Sequence, residues 1–323
     1  MGNSDIRDFA HIDEVDMSEI AGEKVAVDAS NWLYKYMTTT ARFTRTEAYT
    51  NDDGVELTNL IGVPRGVRKY FQRNIQPVFV FDGKPHTLKS EEIKRRKEKR
   101  SSASDKIEDA EDSVEKSKYE SRSQELSNDV ISTTKKLLDL LDVPYTTAPQ
   151  AAESQAAYMT MESDNIQSAV SDDYDTLIFG SEKTIRQFTT SSNSVEVMGF
   201  AETLSDLEIS HEQLVLSTIL CGTDYNNGVS GIGPKTAVKI VRDNPTIDEI
   251  REETGEEIER AEEILDLYLD PAVSDNWPNP KVSNPDIEEA REYLYDQGVD
   301  ISEVETALQD IGDSSSQTGL NNF

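Results

Sequence analysis

A single carboxylate followed by a run of cations marks one stretch of the sequence as a place for chemistry. Residues 78–81 are four consecutive apolar residues, typical of a buried strand in a parallel sheet, and Asp82 follows directly. Ligand sites of open α/β sheets lie beyond the carboxyl ends of the strands. Eight Lys and Arg side chains then follow between residues 84 and 100. We infer a metal-held phosphate at Asp82 and a cationic track for a polyanion that leads away from it.

Two other predicted strand ends carry carboxylates. Residues 24–28 predict a short strand that ends in Asp28, for which a helix cap is the alternative role. Asp172, Asp173 and Asp175 crowd into four positions after another short apolar run, and an acidic surface turn is the alternative for them. Carboxylates this close raise one another's pKa and destabilise the fold unless a cation pairs with them. Because Mg²⁺ and Mn²⁺ prefer oxygen ligands, we interpret this turn as a divalent metal site.

Two further acidic residues are possible metal ligands, but their local sequence has another explanation or gives no signal of its own. Glu153 falls in the first turn of a helix predicted over residues 151–161, where the helix dipole alone would favour a carboxylate. Asp224 lies in a predicted loop four residues before Gly228. Their assignment to a metal site therefore depends on the other carboxylates.

A glycine-rich loop that opens a helix forms a different kind of site. Gly228, Gly231 and Gly233 surround a tight turn, and Pro234 begins a predicted helix. The pattern Gly-x-Gly-Pro-Lys-Thr-Ala-x-Lys indicates a helix-hairpin-helix over residues 220–242, whose backbone N–H groups and helix dipole can bind a phosphate without reading bases. The residues assigned to this contact are Gly231, Gly233, Lys235, Thr236 and Lys239.

Charge is distributed unevenly along the chain. The 323 residues include 63 acidic and 32 basic ones, a formal net charge of −31, which would ordinarily argue against binding to nucleic acid. Residues 57–106, however, hold 13 basic and five acidic residues, a net charge of +8. The acidic excess is greatest in residues 248–310, where apolar residues keep a helical spacing. We therefore expect a folded acidic surface, as in adaptation to high salt, and not a disordered acidic tail.

Composition also bounds the class of protein. The single cysteine excludes an intramolecular disulfide framework. No apolar run is long enough to span a membrane, and the N-terminus lacks the apolar segment of a signal peptide. We therefore expect no membrane partner and a cytoplasmic, nucleoid-associated location.

Three predicted elements would position these groups. Tyr34, in the helix that follows the first strand, either packs in the core or offers an aromatic face to a nucleobase. A helix predicted over residues 57–73 is amphipathic, with Arg68 and Lys69 among the cations of its outer face. Residues 101–124 are polar throughout and form either a mobile helix or a disordered linker, in a position typical of lids and gates.

Together these motifs resemble those of the archaeal and eukaryotic type of flap endonuclease, in the 5′-nuclease superfamily with a PIN-like fold. The resemblance extends over the whole chain, and the acidic composition suggests a halophilic archaeal host. The motifs that carry it are VAVDAS around Asp28, VFVFDGKP around Asp82, APQAAESQAAY around Glu153, SDDYDTLIFG around Asp173 and Asp175, and LCGTDY, ahead of GIGPK, around Asp224. The family has paired glutamates in the third of these motifs, and here Ala151 stands in the first place.

The resemblance implies an α/β fold with a mostly parallel central sheet, helices on both faces, a helical gateway insertion and the helix-hairpin-helix. It implies one nuclease domain over residues 1–311, with an N-terminal region over 1–105, a gateway over 84–128 and an internal region over 129–311. Residues 312–323 would be a flexible tail.

It also implies that the six carboxylates bind two Mg²⁺ ions, for which Mn²⁺ can substitute, and that a K⁺ ion lies at the hairpin. Ala151 would lower the affinity for these ions without abolishing binding. The residues assigned to catalysis through the resemblance are Lys89, Arg96 and Tyr34. Those assigned to DNA besides the hairpin are Gly2, Arg68, Lys69, Lys94 and Arg95.

The C-terminal residues resemble a peptide that docks on the replication sliding clamp, proliferating cell nuclear antigen. Gln317, Leu320 and Phe323 match its glutamine, hydrophobic and aromatic positions. The family usually has two adjacent aromatic residues there, and this sequence has one. An accidental match in a frayed terminus is the alternative, and the full-length resemblance favours the clamp.

The predicted function is that of a monomeric 5′-flap endonuclease and 5′–3′ exonuclease, acting on branched DNA in repair and in the maturation of Okazaki fragments. Two alternatives stay open. One is a clamp-tethered protein that binds DNA junctions and has lost efficient cleavage because of Ala151. The other is a PIN-like ribonuclease, which would leave the hairpin and the clamp peptide unexplained.

Overall fold

Seven strands form one sheet in the described part of the chain. The structure is a computed structural model that describes residues 6–35, 51, 56–84, 86, 88, 126–189 and 193–320, with only the backbone of residues 315–320. The strands are β1 (His11–Asp16), β2 (Lys24–Asp28), β3 (Gln76–Phe81), β4 (Tyr145–Thr147), β5 (Ser168–Val170), β6 (Lys183–Arg186) and β7 (Ser194–Gly199). Their order across the sheet is β1-β7-β6-β5-β2-β3-β4. Strands β6, β5, β2, β3 and β4 run parallel, and β7 and β1 join antiparallel at one edge.

Helices in the described part of the chain cover both faces of this sheet and form a second core beside it. They are α1 (residues 29–35), α2 (Thr58–Phe71), α3 (Asn128–Leu140), α4 (Ala152–Glu162), α5 (Asp175–Ile178), α6 (Phe200–Leu207), α7 (His211–Cys221), α8 (Pro234–Asp243), α9 (Ile247–Thr254), α10 (Ala261–Leu269), α11 (Ile287–Asp296) and α12 (Glu305–Leu320). Alternate residues of β2 belong to different cores, because successive side chains of a strand point to opposite faces. Val25 and Val27 pack with α2 and α3, whereas Ala26 packs with α4.

The central position of β2 determines where the acidic residues meet. In register, Asp28 is opposite Val80 of β3, and Val27 is opposite Val170 of β5. The parallel strands therefore end at the same edge of the sheet. The segments that begin at Asp82 and Ser171 leave the sheet next to Asp28.

A second, helical core lies beside the sheet. Helix α7 is buried from Leu214 to Leu220 and packs against α8 and α10. Helix α5, which directly follows the acidic turn, contributes Leu177 and Ile178 to the same core. The helix-hairpin-helix and the carboxyl ends of the strands are thus joined through one apolar cluster.

Most predicted elements are confirmed. The strand over residues 24–28 is β2, the apolar run over 78–81 lies in β3, and Pro234 begins α8. The acidic region forms folded helices, α9 to α12, and not a disordered tail. No helix in the described ranges is long and apolar enough to cross a membrane. Most of the proposed gateway, including residues 101–124, lies outside the described residues.

The segment predicted as a flexible tail begins within a helix, and its boundary at residue 312 stays a prediction. Residues 312–320 continue α12 as helical backbone, where the sequence interpretation placed a tail from residue 312. Leu308 and Ile311 are buried in the core beside α2, so this helix is anchored shortly before the predicted boundary. Helical hydrogen bonding then propagates beyond the anchor, since adding a residue to an existing helix costs less than starting one.

Gly83 allows β3 to leave the sheet against the loop before α4. Its N–H donates to the carbonyl of Gln150 at 2.6 Å, and a Cβ built on Gly83 would lie 2.0 Å from the carbonyl oxygen of Ala148 and 2.7 Å from that of Pro149. Because both atoms belong to the backbone, they cannot yield as a flexible side chain would. We expect Gly83→Ala to lower the free energy of unfolding by about 1–3 kcal/mol or more.

Chemical denaturation monitored by circular dichroism would measure this loss. Gly233→Ala is the control, because a Cβ on Gly233 meets no atom within 4 Å. Gly233 precedes the first residue of α8, so its substitution costs at most about 1 kcal/mol of helix capping. Equal stability of Gly83→Ala and the parent protein would contradict the predicted clash.

Candidate metal centre and nucleic-acid interface

Asp28 ties two strand ends together. Its side chain is 4% exposed. Its Oδ1 accepts a hydrogen bond from the backbone N–H of Asn31 at 3.0 Å, and its Oδ2 accepts one from the hydroxyl of Ser171 at 3.0 Å. The first bond is the helix-cap interaction that the sequence offers as an alternative role. Asp28 therefore caps α1 and still lies among the other carboxylates.

Asp82 supplies a cap that the next helix lacks. Helix α4 begins after Ala151, which has no side-chain oxygen to accept the first N–H groups. Oδ1 of Asp82 accepts the N–H of Ala152 at 2.8 Å instead. The backbone of Lys84 also donates to the carbonyl of Pro149 at 3.2 Å. The end of β3 and the first turn of α4, which carries Glu153, are therefore held together.

The acidic turn after β5 is shaped by its own side chains. The Ser171 hydroxyl accepts the N–H of Asp173 at 3.1 Å, and Oδ1 of Asp173 accepts the N–H of Asp175 at 3.1 Å. Asp175 is 8% exposed and begins α5. Its Oδ2 accepts a hydrogen bond from the hydroxyl of Tyr268 at 3.1 Å.

Asp172 is separated from its neighbours in this turn. Its Oδ2 forms an ion pair with Nζ of Lys35 at 2.5 Å, and its Oδ1 accepts the N–H of Gln187 at 2.7 Å. The backbone carbonyl of Asp172 accepts a hydrogen bond from Arg186 at 3.0 Å. This carboxylate therefore connects α1 to β6, and the crowding seen in the sequence is partly relieved by a lysine.

The loop that carries Asp224 is fixed by a buried asparagine. Asn226 accepts the N–H of Thr223 at 3.0 Å and donates to the carbonyl of Ile219 at 2.9 Å. The N–H of Val229 donates to the carbonyl of Leu220 at 2.8 Å. Asp224 itself is exposed. The short connection from the carboxylates to the hairpin is thus held in one conformation.

Electrostatic interactions join the six predicted metal ligands into one group. Burial raises the pKa of Asp28 well above its usual value, and the charges of Glu153 and Asp82 raise it further. Burial likewise raises the pKa of Asp175 well above its usual value, and Asp173, Asp224 and Glu153 add to the effect. Because the charge of Glu153 raises the pKa of both Asp28 and Asp175, Glu153 lies within electrostatic reach of both residues.

This group fits divalent cations chemically. Its donors are carboxylate oxygens, which Mg²⁺ and Mn²⁺ prefer, and burial together with their mutual charge raises the pKa values of Asp28 and Asp175. In the described part of the chain, no three His, Cys, Asp or Glu side chains are yet spaced to hold one ion between them. Mutual repulsion favours this separation, and Mg²⁺ commonly completes its coordination with waters.

The hairpin has the exposed surface that phosphate binding requires. Lys235, Thr236 and Lys239 are exposed, as are Gly231 and Gly233. A Cβ built on either glycine would meet no atom within 4 Å. No side chain caps the first turn of α8. Pro234 has no N–H, and the N–H groups of Thr236 and Ala237 donate to the carbonyl of Gly233 at 3.0 and 2.9 Å. The exposed lysines and the backbone of Lys235 are therefore the groups in this turn that suit a phosphate.

The outward position predicted for Lys69 is wrong. Lys69 is 3% exposed, its Nζ lies 5.0 Å from the ring centroid of Phe188, and burial, followed by the charges of Arg73 and Lys35, lowers its pKa to about 8. Arg68 forms an ion pair with Asp310 of α12 at 2.5 Å. The reason is tertiary: α2 packs against α12, more than 200 residues later in the chain, so part of its polar face is covered.

For several predicted site residues the proposed role stays a prediction. Tyr34 is half-buried on α1, which leaves both of its proposed roles open. Gln317 and Leu320 lie on the described backbone of α12, without described side chains. The predicted residues outside the described ranges are Gly2, Lys89, Lys94, Arg95, Arg96 and Phe323.

Sequence reasoning missed two residues that bond to the predicted ligands. Ser171 directly follows β5 and precedes the acidic turn, so its place in the sequence could have indicated a role. Tyr268 gives no such signal, because it follows the apolar spacing of a core helix.

Comparison with known proteins identifies the class. The XPG N-terminal domain matches residues 3–103, and the XPG I-region matches residues 142–224. Together these ranges contain all six predicted metal ligands. The fold is therefore that of an XPG-family nuclease, a hydrolase of a metal-dependent group.

Full-length relatives identify the family. Flap endonuclease 1 of Haloarcula marismortui is 43% identical over 327 residues, and that of Halobacterium salinarum is 41% identical over 328 residues, with 100% of both chains covered each time. The structure of flap endonuclease-1 from Methanococcus jannaschii matches with a TM-score of 0.75 and 31% identity, covering 96% of this chain and 98% of that one. The chain belongs to the flap endonuclease 1 family, and the predicted resemblance and fold class are confirmed. The halophilic hosts of the first two relatives fit the acidic composition.

The buried position of Asp175 generates a prediction about stability without metal. Its folded-state pKa is raised above the unfolded value, so ionised Asp175 destabilises the fold when the pH exceeds both values. This penalty declines as the pH falls through the folded pKa. In EDTA at neutral pH we expect Asp175→Asn to unfold at a higher temperature than the parent protein, and the difference to vanish towards about pH 4.

Thermal unfolding followed by circular dichroism from acidic to neutral pH would measure this difference. Asp296→Asn is the control, because Asp296 is exposed on α11 and far in sequence from the site. A lower unfolding temperature for Asp175→Asn at neutral pH in EDTA would contradict the prediction.

Proposed function

We propose that this protein is a structure-specific endonuclease that cuts DNA carrying a 5′ flap, with 5′–3′ exonuclease activity. The single observation that carries the proposal is the convergence of Asp28, Asp82, Glu153, Asp175 and their acidic neighbours at one sheet edge, which an apolar core joins to an exposed glycine-rich hairpin. This arrangement suits hydrolysis of a phosphodiester held at a fixed distance from duplex DNA. Membership of the flap endonuclease 1 family supports the same substrate class.

The residues that would hold two Mg²⁺ ions are Asp28, Asp82, Glu153, Asp173, Asp175 and Asp224, and Mn²⁺ would substitute. Two divalent cations bound there would supply an activated water and would stabilise the leaving oxygen in an in-line displacement. The protein contributes the fixed directions of the ligands. Capping of α4 by Asp82 holds Glu153 in place, and the Ser171 bonds do the same for Asp28 and Asp173.

The hairpin would bind the phosphates of the duplex next to the flap. Lys235 and Lys239 would supply positive charge, and the backbone N–H of Lys235 would supply a directed hydrogen bond, because Pro234 has no N–H and those of Thr236 and Ala237 donate to the carbonyl of Gly233. Such contacts position the DNA without reading its bases, so specificity would come from the shape of the junction. A K⁺ ion at the hairpin backbone is part of this proposal.

The cationic residues after β3 would act at the scissile phosphate. We assign Lys89 and Arg96 to stabilisation of the charge that develops there, Tyr34 to stacking on a flap base, and Gly2, Lys94 and Arg95 to contacts with DNA. Residues 101–124 would form the gate over the flap. Lys69 is left out of the proposed DNA surface because it is buried.

The cellular role that we propose is the maturation of Okazaki fragments and DNA repair, by a monomer tethered to the sliding clamp. Gln317, Leu320 and Phe323 are the proposed clamp contacts. A second candidate, a junction-binding protein with impaired cleavage, is favoured by one observation, the presence of Ala151 where the family pattern has a glutamate.

A cleavage assay on 5′-flap DNA, with single-stranded RNA beside it, tests the function and its metal ligands. We expect Mg²⁺-dependent cleavage of the flap alone. Asp82→Ala and Asp175→Ala should abolish cleavage and retain flap binding, because both residues belong to the six predicted metal ligands and not to the cationic track after Asp82. Asp296→Ala is a control for the loss of one acidic charge. Cleavage by either site variant within about tenfold of the parent rate would exclude that carboxylate as a direct ligand.

Restoring the missing glutamate should strengthen the metal site. Ala151 directly precedes α4, and Asp82 already caps that helix, so a glutamate at position 151 need not serve as the cap. We expect Ala151→Glu to lower the Mg²⁺ concentration for half-maximal cleavage, because it adds a negative ligand. Metal titrations of both proteins would measure this. Coinciding curves would contradict the prediction, and activity in Ala151→Glu alone would favour the junction-binding candidate.

The clamp peptide can be tested apart from catalysis. Deleting residues 317–323 should leave cleavage of free flap DNA unchanged and abolish stimulation by the sliding clamp, because the deletion begins beyond the buried anchor at Ile311. Calorimetry with the clamp would measure the affinity of both forms. Equal affinity with and without these residues would exclude the peptide as the docking site.

A further inference from the structure

A buried tyrosine from the helical core donates a hydrogen bond to one of the six predicted metal ligands. Tyr268 lies on α10, and its Oη is 3.1 Å from Oδ2 of Asp175. The tyrosine is 1% exposed and the aspartate 8%. The metal ligands come from the strand ends, the first turn of α4 and the loop after α7, whereas this hydroxyl comes from a helix that contributes no ligand.

The hydroxyl is held in position by the packing of its ring. The ring centroid of Tyr268 lies 4.7 Å from that of Phe179 and 6.1 Å from that of Tyr225. Ala261 and Ile264 of the same helix are fully buried in this core. Tyr268 therefore cannot swing away from Asp175 without disrupting the packing. Because both side chains are shielded from water, the hydrogen bond to the carboxylate is stronger than an exposed one.

This bond distinguishes the two oxygens of Asp175. Oδ2 accepts from Tyr268, and within the described part of the chain no hydrogen bond reaches Oδ1. The backbone N–H of Asp175 is fixed by Asp173 at 3.1 Å. With both backbone and Oδ2 restrained, Asp175 presents Oδ1 in one orientation to a cation among the carboxylates.

We propose that Tyr268 is a positioning residue for the divalent metal site, and that its hydroxyl orients the Asp175 carboxylate for metal binding. The inference rests on the proposed function and deepens it, since it adds a residue that determines metal affinity without touching the metal or the DNA. Partners that orient metal ligands in this way typically account for about 10- to 100-fold in metal affinity.

The test compares Tyr268→Phe with the parent protein in direct metal binding. Titration with Mn²⁺, with free Mn²⁺ followed by electron paramagnetic resonance, needs neither DNA nor turnover. We expect Tyr268→Phe to bind Mn²⁺ about tenfold more weakly. The Mg²⁺ concentration for half-maximal flap cleavage should rise by a similar factor, while the KM for DNA at saturating Mg²⁺ stays unchanged.

A matched control and a double variant separate positioning from packing. Tyr158 donates to Oδ1 of Asp275 at 2.6 Å, so Tyr158→Phe removes the same kind of hydrogen bond from a carboxylate outside the site, and it should leave Mn²⁺ affinity unchanged. In the Asp175→Ala background, Tyr268→Phe should cause no further loss of Mn²⁺ affinity, because the hydroxyl acts through Asp175.

Each outcome bears on the proposal. Equal Mn²⁺ affinity in Tyr268→Phe and the parent protein would overturn the proposal. This holds even if Tyr268→Phe is less stable than the parent, because the tyrosine would then contribute to packing and not to metal binding. A further loss of affinity in the Asp175→Ala background would also overturn it. If the parent bound Mn²⁺ and cleaved flaps, these results would reject the role of Tyr268 alone. If the parent did neither, the proposed function would fall and the inference with it.

Discussion

Repulsion among buried carboxylates is the constraint on which the rest of this structure depends. Parallel strands that end at one edge bring Asp28 and Asp82 together, and the chain adds Glu153 and Asp175 within electrostatic reach. Burial and mutual charge make the ionised group costly in the absence of a cation. Such a group persists only if the surrounding packing holds it, so the scaffold must supply enough stability to keep the acids in place for metal binding.

The scaffold does this largely with hydrogen bonds that the acids themselves accept. Asp28 accepts the N–H of Asn31 in the first turn of α1, and Asp82 accepts the N–H of Ala152, the first residue of α4. Asp173 receives the N–H of Asp175, and Tyr268 donates to the Asp175 side chain. Each bond stabilises the charged form of a carboxylate and at the same time fixes a helix or turn. Ligand orientation and local folding are therefore served by the same interactions.

In the described part of the chain, some basic side chains form ion pairs within the fold, and others are exposed where DNA could bind. Arg68 is paired with Asp310 and Arg65 with Glu303, where α2 meets the C-terminal helices, and Lys35 is paired with Asp172. Lys235 and Lys239 are instead exposed beside the glycines of the hairpin. In a chain with a net charge of −31, DNA contacts depend on where cations lie and not on their number. High salt screens long-range attraction, which favours close contacts such as backbone N–H groups with phosphate.

The sequence by itself determined the strands β2, β3 and β5, the acidic residues at their ends and the hairpin, because these features depend on local patterns. Four apolar residues before Asp82, and glycines around a Pro-initiated helix, reveal their roles within a few positions. The sequence showed that Ala151 departs from the family pattern. It did not show that Ala151 lies at the N-cap of α4, where Asp82 accepts the N–H of Ala152 in place of a side chain at position 151. Only the tertiary structure decided that Lys69 is buried and that Tyr268 donates a hydrogen bond to Asp175. The same is true of the ion pairs of Arg68 with Asp310 and of Lys35 with Asp172. These are contacts between residues about 90 to 240 positions apart, and local periodicity carries no information on which distant helix will cover a given face.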